Sequence, residues 1–145
     1  MFSVKKMKRF VFILLLFVTA SVANAQAEKP FVGRLANDEF QIYLVIDFYH
    51  NNIIVPGQEI FGEVSGYLAD VKNTYKWIIT EGKTDNKNTA KLVIINDYGS
   101  EDLTATLTIN KDGTYSLKQI QGSALKIVRN RKWMKLPKTL VFVKK

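Results

Sequence analysis

The chain has 145 residues, of which 47% are hydrophobic and 23% charged, and it carries 21 basic and 13 acidic side chains, no cysteine and one histidine. This length is typical of one domain, and the apolar content excludes a disordered or low-complexity chain. The absence of cysteine excludes disulfides, thiolate zinc sites and cysteine nucleophiles. Because His50 is the single histidine, a Ser-His-Asp triad or a multi-histidine metal site is disfavoured, and the sequence predicts neither a metal nor a cofactor.

The N-terminus has the pattern of a signal peptide. Four basic side chains lie within residues 5–9, and an apolar run of 11 residues follows at 10–20. Ala23 and Ala25 are the small residues that a signal peptidase reads, so we predict a signal peptide at 1–25 with cleavage between Ala25 and Gln26. The apolar run is shorter than the roughly 20 residues of a membrane-spanning helix. We therefore expect an exported protein, periplasmic or secreted, with no transmembrane anchor after cleavage and one domain at 26–145.

Removal of the signal peptide changes the charge of the chain. The mature part has 17 basic and 13 acidic side chains, a net charge of +4 instead of the +8 of the whole sequence. Residues 26–110 carry 7 basic and 12 acidic side chains, whereas residues 111–145 carry 10 basic and 1 acidic. The mature protein is thus polarised between an acidic first part and a basic C-terminal part.

Alternation of apolar and polar residues predicts strands through most of the mature chain. The inward row from Phe40 to Phe48 has the period of two expected of a half-buried strand. A hairpin is predicted at 103–117, with its turn at 110–113 closed by Gly113, which tolerates a positive φ. The predicted strands lie near 31–35, 40–49, 59–68, 75–81, 89–96, 103–109, 114–120, 124–129 and 139–144.

These eight or nine short strands leave no room for crossover helices, so antiparallel pairing is favoured. We predict an all-β fold in which one antiparallel meander closes into a small barrel, because short turns and internal glycines allow closure without exposed edges. A two-sheet β-sandwich is the alternative. The segments at 31–33 (FVG), 62–67 (GEVSGY) and 136–137 (LP), with the apolar strands between and after them, resemble small secreted bacterial β-barrel proteins of unassigned function. The resemblance implies a barrel fold and an envelope location, and no catalytic residues.

The basic segment 126–138 is the main candidate for a binding site. It holds six Lys and Arg residues around one tryptophan, a combination suited to anionic partners such as lipopolysaccharide phosphates, acidic polysaccharide or phospholipid headgroups. Nucleic acid is disfavoured, because the chain has no recognised nucleic-acid module and is predicted to be exported. A competing interpretation is that these charges are solvated and complement the acidic first part. The candidate binding residues are Lys126, Arg129, Arg131, Lys132, Trp133 and Lys135.

Other candidate chemistry rests on fewer residues. Glu59 and Glu63 are an even number apart on one predicted strand, and two carboxylates on one face are the minimum for glycosidase-type acid and base catalysis. Asp47 with His50 forms a second candidate pair for a small hydrolase. The acidic residues at 97–102 fit no EF-hand spacing.

The prediction is a non-enzymatic envelope binding module for an anionic or protein partner. A small secreted hydrolase that uses Glu59 and Glu63, or Asp47 with His50, is the alternative. An inhibitor of a secreted hydrolase, with a protruding loop at 50–57 or 82–88, is a further alternative.

Overall fold

The computed structural model describes residues 29–85 and 87–145, and the predicted signal peptide lies outside this part of the chain. Residues Phe31–Lys145 form one compact unit. The unit contains twelve strands and one short 3-10 helix at Glu59–Phe61. The strands are β1 (Val32–Asn37), β2 (Ile42–Asp47), β3 (Ile53–Ile54), β4 (Glu63–Val64), β5 (Gly66–Asp70), β6 (Lys76–Thr84), β7 (Thr89–Asn96), β8 (Asp102–Ile109), β9 (Tyr115–Gly122), β10 (Lys126–Arg129), β11 (Lys132–Lys135) and β12 (Thr139–Lys144).

Eight strands form a closed antiparallel barrel. Their order around the wall is β1-β2-β5-β6-β7-β8-β9-β12, and β12 pairs back onto β1 through Leu35 opposite Lys144. The wall strands follow one another in chain order, so the sheet is the predicted up-and-down meander. The closed sheet confirms the barrel and excludes the two-sheet sandwich. The predicted hairpin is also present, with β8 and β9 joined by a turn in which Gly113 has a φ of 86°.

Inward-facing apolar side chains fill the barrel. Alternate residues of each wall strand point inward, and an eight-stranded barrel is just wide enough for its own side chains to occupy the interior. The predicted inward row of β2, from Ile42 to Phe48, belongs to this cluster. Trp77 and Phe142 also lie in it, each at most 5% exposed. The interior is thus occupied by protein, which argues against a carrier that holds its ligand inside the barrel.

The two ends of the barrel differ in what covers them. At the end where β2 finishes, Phe31 stacks on Phe48 with ring centroids 5.8 Å apart and meets Tyr115 edge-on at 6.4 Å. We call this the Phe31 end. At the opposite end, where β9 finishes and β12 begins, residues 123–138 leave the wall and fold over the opening. We call it the hairpin end.

The segment between β2 and β5 covers part of the outer wall. It contains β3, the 3-10 helix and β4, and Val55 in it is fully buried against the outward side chains of β5 and β6, such as Tyr67 and Ile78. The prediction of one continuous strand over 59–68 is therefore wrong. Gly62 has a φ of 66°, a conformation that glycine adopts without a steric penalty, and it separates the 3-10 helix from β4.

Residues 124–129 also differ from the prediction. The strand there, β10, does not join the wall; it pairs with β11, a strand that the sequence analysis did not predict. The reason is local. Asn130 and Arg131 both have positive φ, of 53° and 63°, as in the two-residue turns that favour tight hairpins. The chain therefore turns back on itself before it returns to the wall in β12.

Candidate functional site

The candidate site is the hairpin formed by β10 and β11, which we call the basic hairpin (residues 126–135). Its register pairs Lys126 with Lys135 and Val128 with Trp133. Residues directly opposite each other in an antiparallel pair share a face, so these four side chains lie on one face of the hairpin. Ile127, on the other face, is 3% exposed and belongs to the barrel interior cluster.

Arg129 anchors the basic hairpin to the barrel. Its Nη1 donates to Asp70 Oδ2 at 2.6 Å, and its Nη2 donates to the Phe40 carbonyl at 2.6 Å. The Arg129 and Asp70 side chains are only 19% and 3% exposed. The Asp70 carboxylate also accepts hydrogen bonds from Lys72 N and Asn73 Nδ2. This candidate binding residue is therefore part of the scaffold.

A second set of contacts fixes the start of the basic hairpin. Lys126 Nζ donates to Glu101 Oε1 at 2.7 Å, and the Lys126 carbonyl accepts a hydrogen bond from Trp77 Nε1 at 3.0 Å. Just before the hairpin, Leu125 N donates to the side-chain oxygen of Gln119, and Leu125 itself is fully buried. Like Arg129, Lys126 pairs with a carboxylate of the acidic first part. Two of the six candidate residues thus follow the interpretation in which basic and acidic parts complement each other.

The other four candidates lie at the tip of the hairpin and in β11, and all four are exposed. Arg131, Lys132 and Lys135 are exposed, and Trp133 is 57% exposed. The Trp133 ring lies 5.1 Å from that of Tyr75, which follows β5 in the chain. The structure thus divides the predicted group into two anchoring residues and four that face solvent.

A cleft of about 390 Å³ lies beside the basic hairpin at the same end of the barrel. Four aromatic side chains line it, together with three lysines, two carboxylates and one amide. Tyr98, at the tip of the turn between β7 and β8, is 76% exposed. The lining residues are Tyr75, Lys76, Trp77, Asn96, Asp97, Tyr98, Glu101, Lys126, Trp133 and Lys135.

The sequence pattern did not identify this cleft. Tyr98 lies in a turn, where no periodicity marks it, and Tyr75 and Trp133 are 58 positions apart. The turn that carries Tyr98 is held by Asn96, whose Oδ1 accepts hydrogen bonds from Ser100 N at 2.9 Å and Glu101 N at 3.1 Å. The sequence did indicate a turn at this place, because asparagine and glycine are residues typical of turns.

The candidate hydrolase pair of Asp47 and His50 lies at the Phe31 end. Asp47 is 8% exposed, and its carboxylate accepts hydrogen bonds from Tyr49 N, His50 N and His50 Nδ1, the last at 3.0 Å. Burial raises the pKa of Asp47, but the hydrogen bonds from His50 and Tyr49 outweigh it, so that its pKa is lowered. The arrangement caps the turn after β2. Such a stabilised carboxylate is a weaker proton acceptor than an ordinary aspartate.

Glu59 and Glu63 do not share a strand face. Glu59 begins the 3-10 helix, and its carboxylate accepts a hydrogen bond from Gly57 N at 3.0 Å. The backbone N–H groups of Glu59 and Gly57 lower its pKa. Both glutamates are exposed, and among the described residues no hydrogen bond or ion pair joins either of them to Asp47 or His50.

The acidic residues after β7 are used separately. Glu101 pairs with Lys126, and Asp97 accepts a long hydrogen bond of 3.5 Å from Lys76 N. Within 29–85 and 87–145, no three His, Cys, Asp or Glu side chains are grouped as metal ligands. In the same part of the chain, no helix is long and apolar enough to cross a membrane.

The two predicted inhibitory loops are partly held in strands and partly exposed. In the segment 50–57, β3 pairs with β4 and Val55 is buried. In the segment 82–88, the first three residues belong to β6, where Lys83 pairs with Lys91 of β7. The described residues at the tip of the β6–β7 hairpin, Asp85, Lys87 and Asn88, are exposed, and Ile60 of the 3-10 helix is 90% exposed.

The chain matches no family model, no curated protein and no solved structure.

Proposed function

We propose that this protein is an exported, non-enzymatic binding module of the cell envelope, and that the exposed part of the basic hairpin, residues 131–135, binds an anionic partner. The observation that carries the proposal is the division within the hairpin. Arg129 and Lys126 hold it to the barrel, whereas Arg131, Lys132 and Lys135 are exposed. Lys135 shares a face of the hairpin with Trp133, and Lys132 lies on the opposite face. A basic surface with fixed geometry binds an anion without the entropic cost of ordering the segment.

The conformation of Arg131 supports this interpretation. Its φ of 63° lies in the left-handed region, which costs a residue with a side chain about 1–2 kcal/mol. Glycine is the residue that such turns favour at this position. The tip of the hairpin carries a basic side chain although the backbone conformation there favours glycine. Such a conflict is expected where the side chain serves a function.

Charge reversal on the hairpin tests the proposal. The Lys132→Glu, Lys135→Glu double variant should bind at least tenfold more weakly than the unmodified protein to anionic polymers and to anionic lipid vesicles, and the loss should shrink as salt rises. Lys111→Glu with Lys118→Glu is the matched control, because these exposed lysines lie on the β8–β9 hairpin and its wall strand. Arg129 is left intact, since its reversal would place a glutamate against Asp70. Equal binding by the test and control variants would exclude the proposal.

A further inference from the structure

We infer that the cleft beside the basic hairpin binds an acidic glycan, with sugar rings against the aromatic side chains and the negative charge of the glycan on Lys135. This inference rests on the proposed function and names the chemical class of its partner. The cleft volume of about 390 Å³ falls in the range of small-ligand sites, roughly 300–1,000 Å³.

Three exposed aromatic side chains of the cleft favour a sugar as the ligand. Tyr75, Tyr98 and Trp133 are 38%, 76% and 57% exposed, although they line one cleft. The face of an aromatic ring is electron-rich, and the C–H bonds on the flat side of a pyranose ring present weakly positive hydrogens to it. Aromatic faces that are exposed within a cleft can therefore each contact a sugar ring. A flat apolar protein surface would instead cover all of them together.

The polar groups of the cleft include both cations and carboxylates. Lys76 and Lys135 offer cationic donors, whereas Asp97 and the Glu101 carboxylate offer acceptors within the same cleft. The carboxylate of Asp97 accepts a hydrogen bond of 3.5 Å from Lys76 N, which leaves acceptor capacity for hydroxyl donors. A mixture of cations and carboxylates fits a ligand that carries both hydroxyls and negative charge. A polyphosphate chain has no hydroxyl donors for the two carboxylates.

The position of the cleft also restricts which ligands can reach it. The cleft lies between the hairpin and the turn after β7, and that turn is held in place by Asn96 through two backbone N–H groups. Trp133 is in turn held by its contact with Tyr75. A chain-like ligand can enter such a cleft, whereas a bilayer surface would meet only the exposed tip of the hairpin.

The test compares polyanions with their uncharged counterparts. Polygalacturonate and dextran sulfate are the acidic probes, one carboxylated and one sulfated, and methyl-esterified polygalacturonate and dextran are the neutral ones. Binding is followed by tryptophan fluorescence, because Trp133 is exposed whereas Trp77, the other tryptophan of the chain, is 5% exposed. We expect at least one acidic probe to shift the emission and to bind at least tenfold more tightly than its neutral counterpart.

Variants then separate stacking from charge. Trp133→Ala and Tyr98→Ala should each weaken acidic-glycan binding about tenfold, as measured by calorimetry. Met134→Ala is the control, because Met134 is exposed on the same hairpin but faces away from the cleft. Retained thermal unfolding temperatures will show that each variant is folded, and Tyr98, at a turn tip, is the safer of the two changes.

The possible outcomes distinguish this inference from the proposed function. If the aromatic variants bind the acidic glycans normally while the Lys132, Lys135 reversal abolishes binding, the glycan cleft is excluded and a purely electrostatic module remains. If anionic vesicles bind and neither acidic glycan does, the inference is likewise overturned. Equal binding of neutral and acidic glycans would overturn its acidic part. If neither the reversals nor the aromatic variants change any binding, both proposals fail.

Discussion

Arg129 and Asp70 are 59 residues apart in the sequence, yet their side chains form an ion pair with 2.6 Å between Nη1 and Oδ2. The pair links the basic hairpin to the end of β5, and both side chains are largely buried. Asp70 has three hydrogen-bond donors around its carboxylate, so the site is built to hold a negative charge. The pair explains how a segment rich in positive charge becomes a fixed part of the barrel.

Removal of one partner of this pair should destabilise the fold. We expect Arg129→Ala to lower the free energy of unfolding in urea by about 3 kcal/mol, because a buried carboxylate is left without its cation. The Lys132→Ala control should change it by less than about 0.5 kcal/mol, since Lys132 is exposed. In a double-mutant cycle, Asp70→Asn should make Arg129→Ala less costly. Additive effects would show that the two side chains do not interact energetically.

The tip of the hairpin should show opposite effects on stability and on binding. Arg131→Gly should raise the free energy of unfolding by about 0.5–1 kcal/mol, since glycine relieves the left-handed conformation but gains freedom in the unfolded chain. The same change should weaken binding to anionic polymers, because it removes one exposed charge. Urea unfolding and a binding titration on one protein sample measure both effects. A variant that is less stable and binds normally would contradict the interpretation of Arg131.

Gly82 is required by the close approach of Phe48. A Cβ atom at Gly82 would lie 2.5 Å from Phe48 Cδ1, far inside contact distance. We expect Gly82→Ala to cost about 1–3 kcal/mol in unfolding free energy, as overpacking of a filled core does. Replacing the Phe48 ring by the smaller side chain of leucine (Phe48→Leu) should offset part of this cost. The double variant should then be more stable than the sum of the single effects predicts. Strict additivity, measured by urea unfolding, would argue against the contact.

Acid should destabilise the protein partly through Asp47. Its folded-state pKa is lowered from the ordinary value of 3.8, so the carboxylate stabilises the fold fully above that value and loses its contribution as the pH falls through the folded pKa. We therefore expect the free energy of unfolding to decrease below about pH 4, and Asp47→Asn to make this decrease shallower. His50→Ala should act in the same direction more weakly, because it removes one of several donors. Unchanged pH profiles in both variants would contradict this account.

Cell fractionation and mass spectrometry test the predicted export. We expect the mature protein in the periplasmic or secreted fraction, with an intact mass that corresponds to a chain beginning at Gln26. Ala25→Arg should block cleavage and leave the precursor with the membranes. A soluble chain that keeps residues 1–25 would contradict the predicted signal peptide and, with it, the envelope location of the proposed function.

Local patterning was enough to predict the wall of the barrel. Alternation along β2 and β8, with a glycine-closed turn after β8, specifies which residues face inward and where the chain reverses. The lack of crossover segments favours antiparallel pairing, whereas closure depends on the long-range pairing of β1 with β12. The inward rows and the turn are encoded over a few neighbouring residues, because the side-chain period of a strand is two.

Periodicity did not predict two places where residues with positive φ interrupt or redirect the chain. The positive φ of Gly62 breaks the segment 59–68, and the turn at Asn130 and Arg131 redirects β10 away from the wall. The alternation of apolar residues continues through the break at Gly62, whereas residues 129–132 are all polar. In neither place does the pattern specify which segments pair. In the sequence, Arg129 and Lys126 belong to the same basic segment as the exposed basic residues, since one sequence pattern cannot distinguish a paired cation from a solvated one.

The sequence by itself thus determined the strand-rich composition, the inward rows and the concentration of positive charge near the C-terminus, because each depends on neighbours along the chain. Only the tertiary structure decided which charges are neutralised by Asp70 and Glu101, and which aromatic side chains meet in one cleft. Tyr75, Tyr98 and Trp133 come from three separate connections of the barrel. They meet because closure of the barrel brings alternate turns to the same end, and no local pattern carries that information.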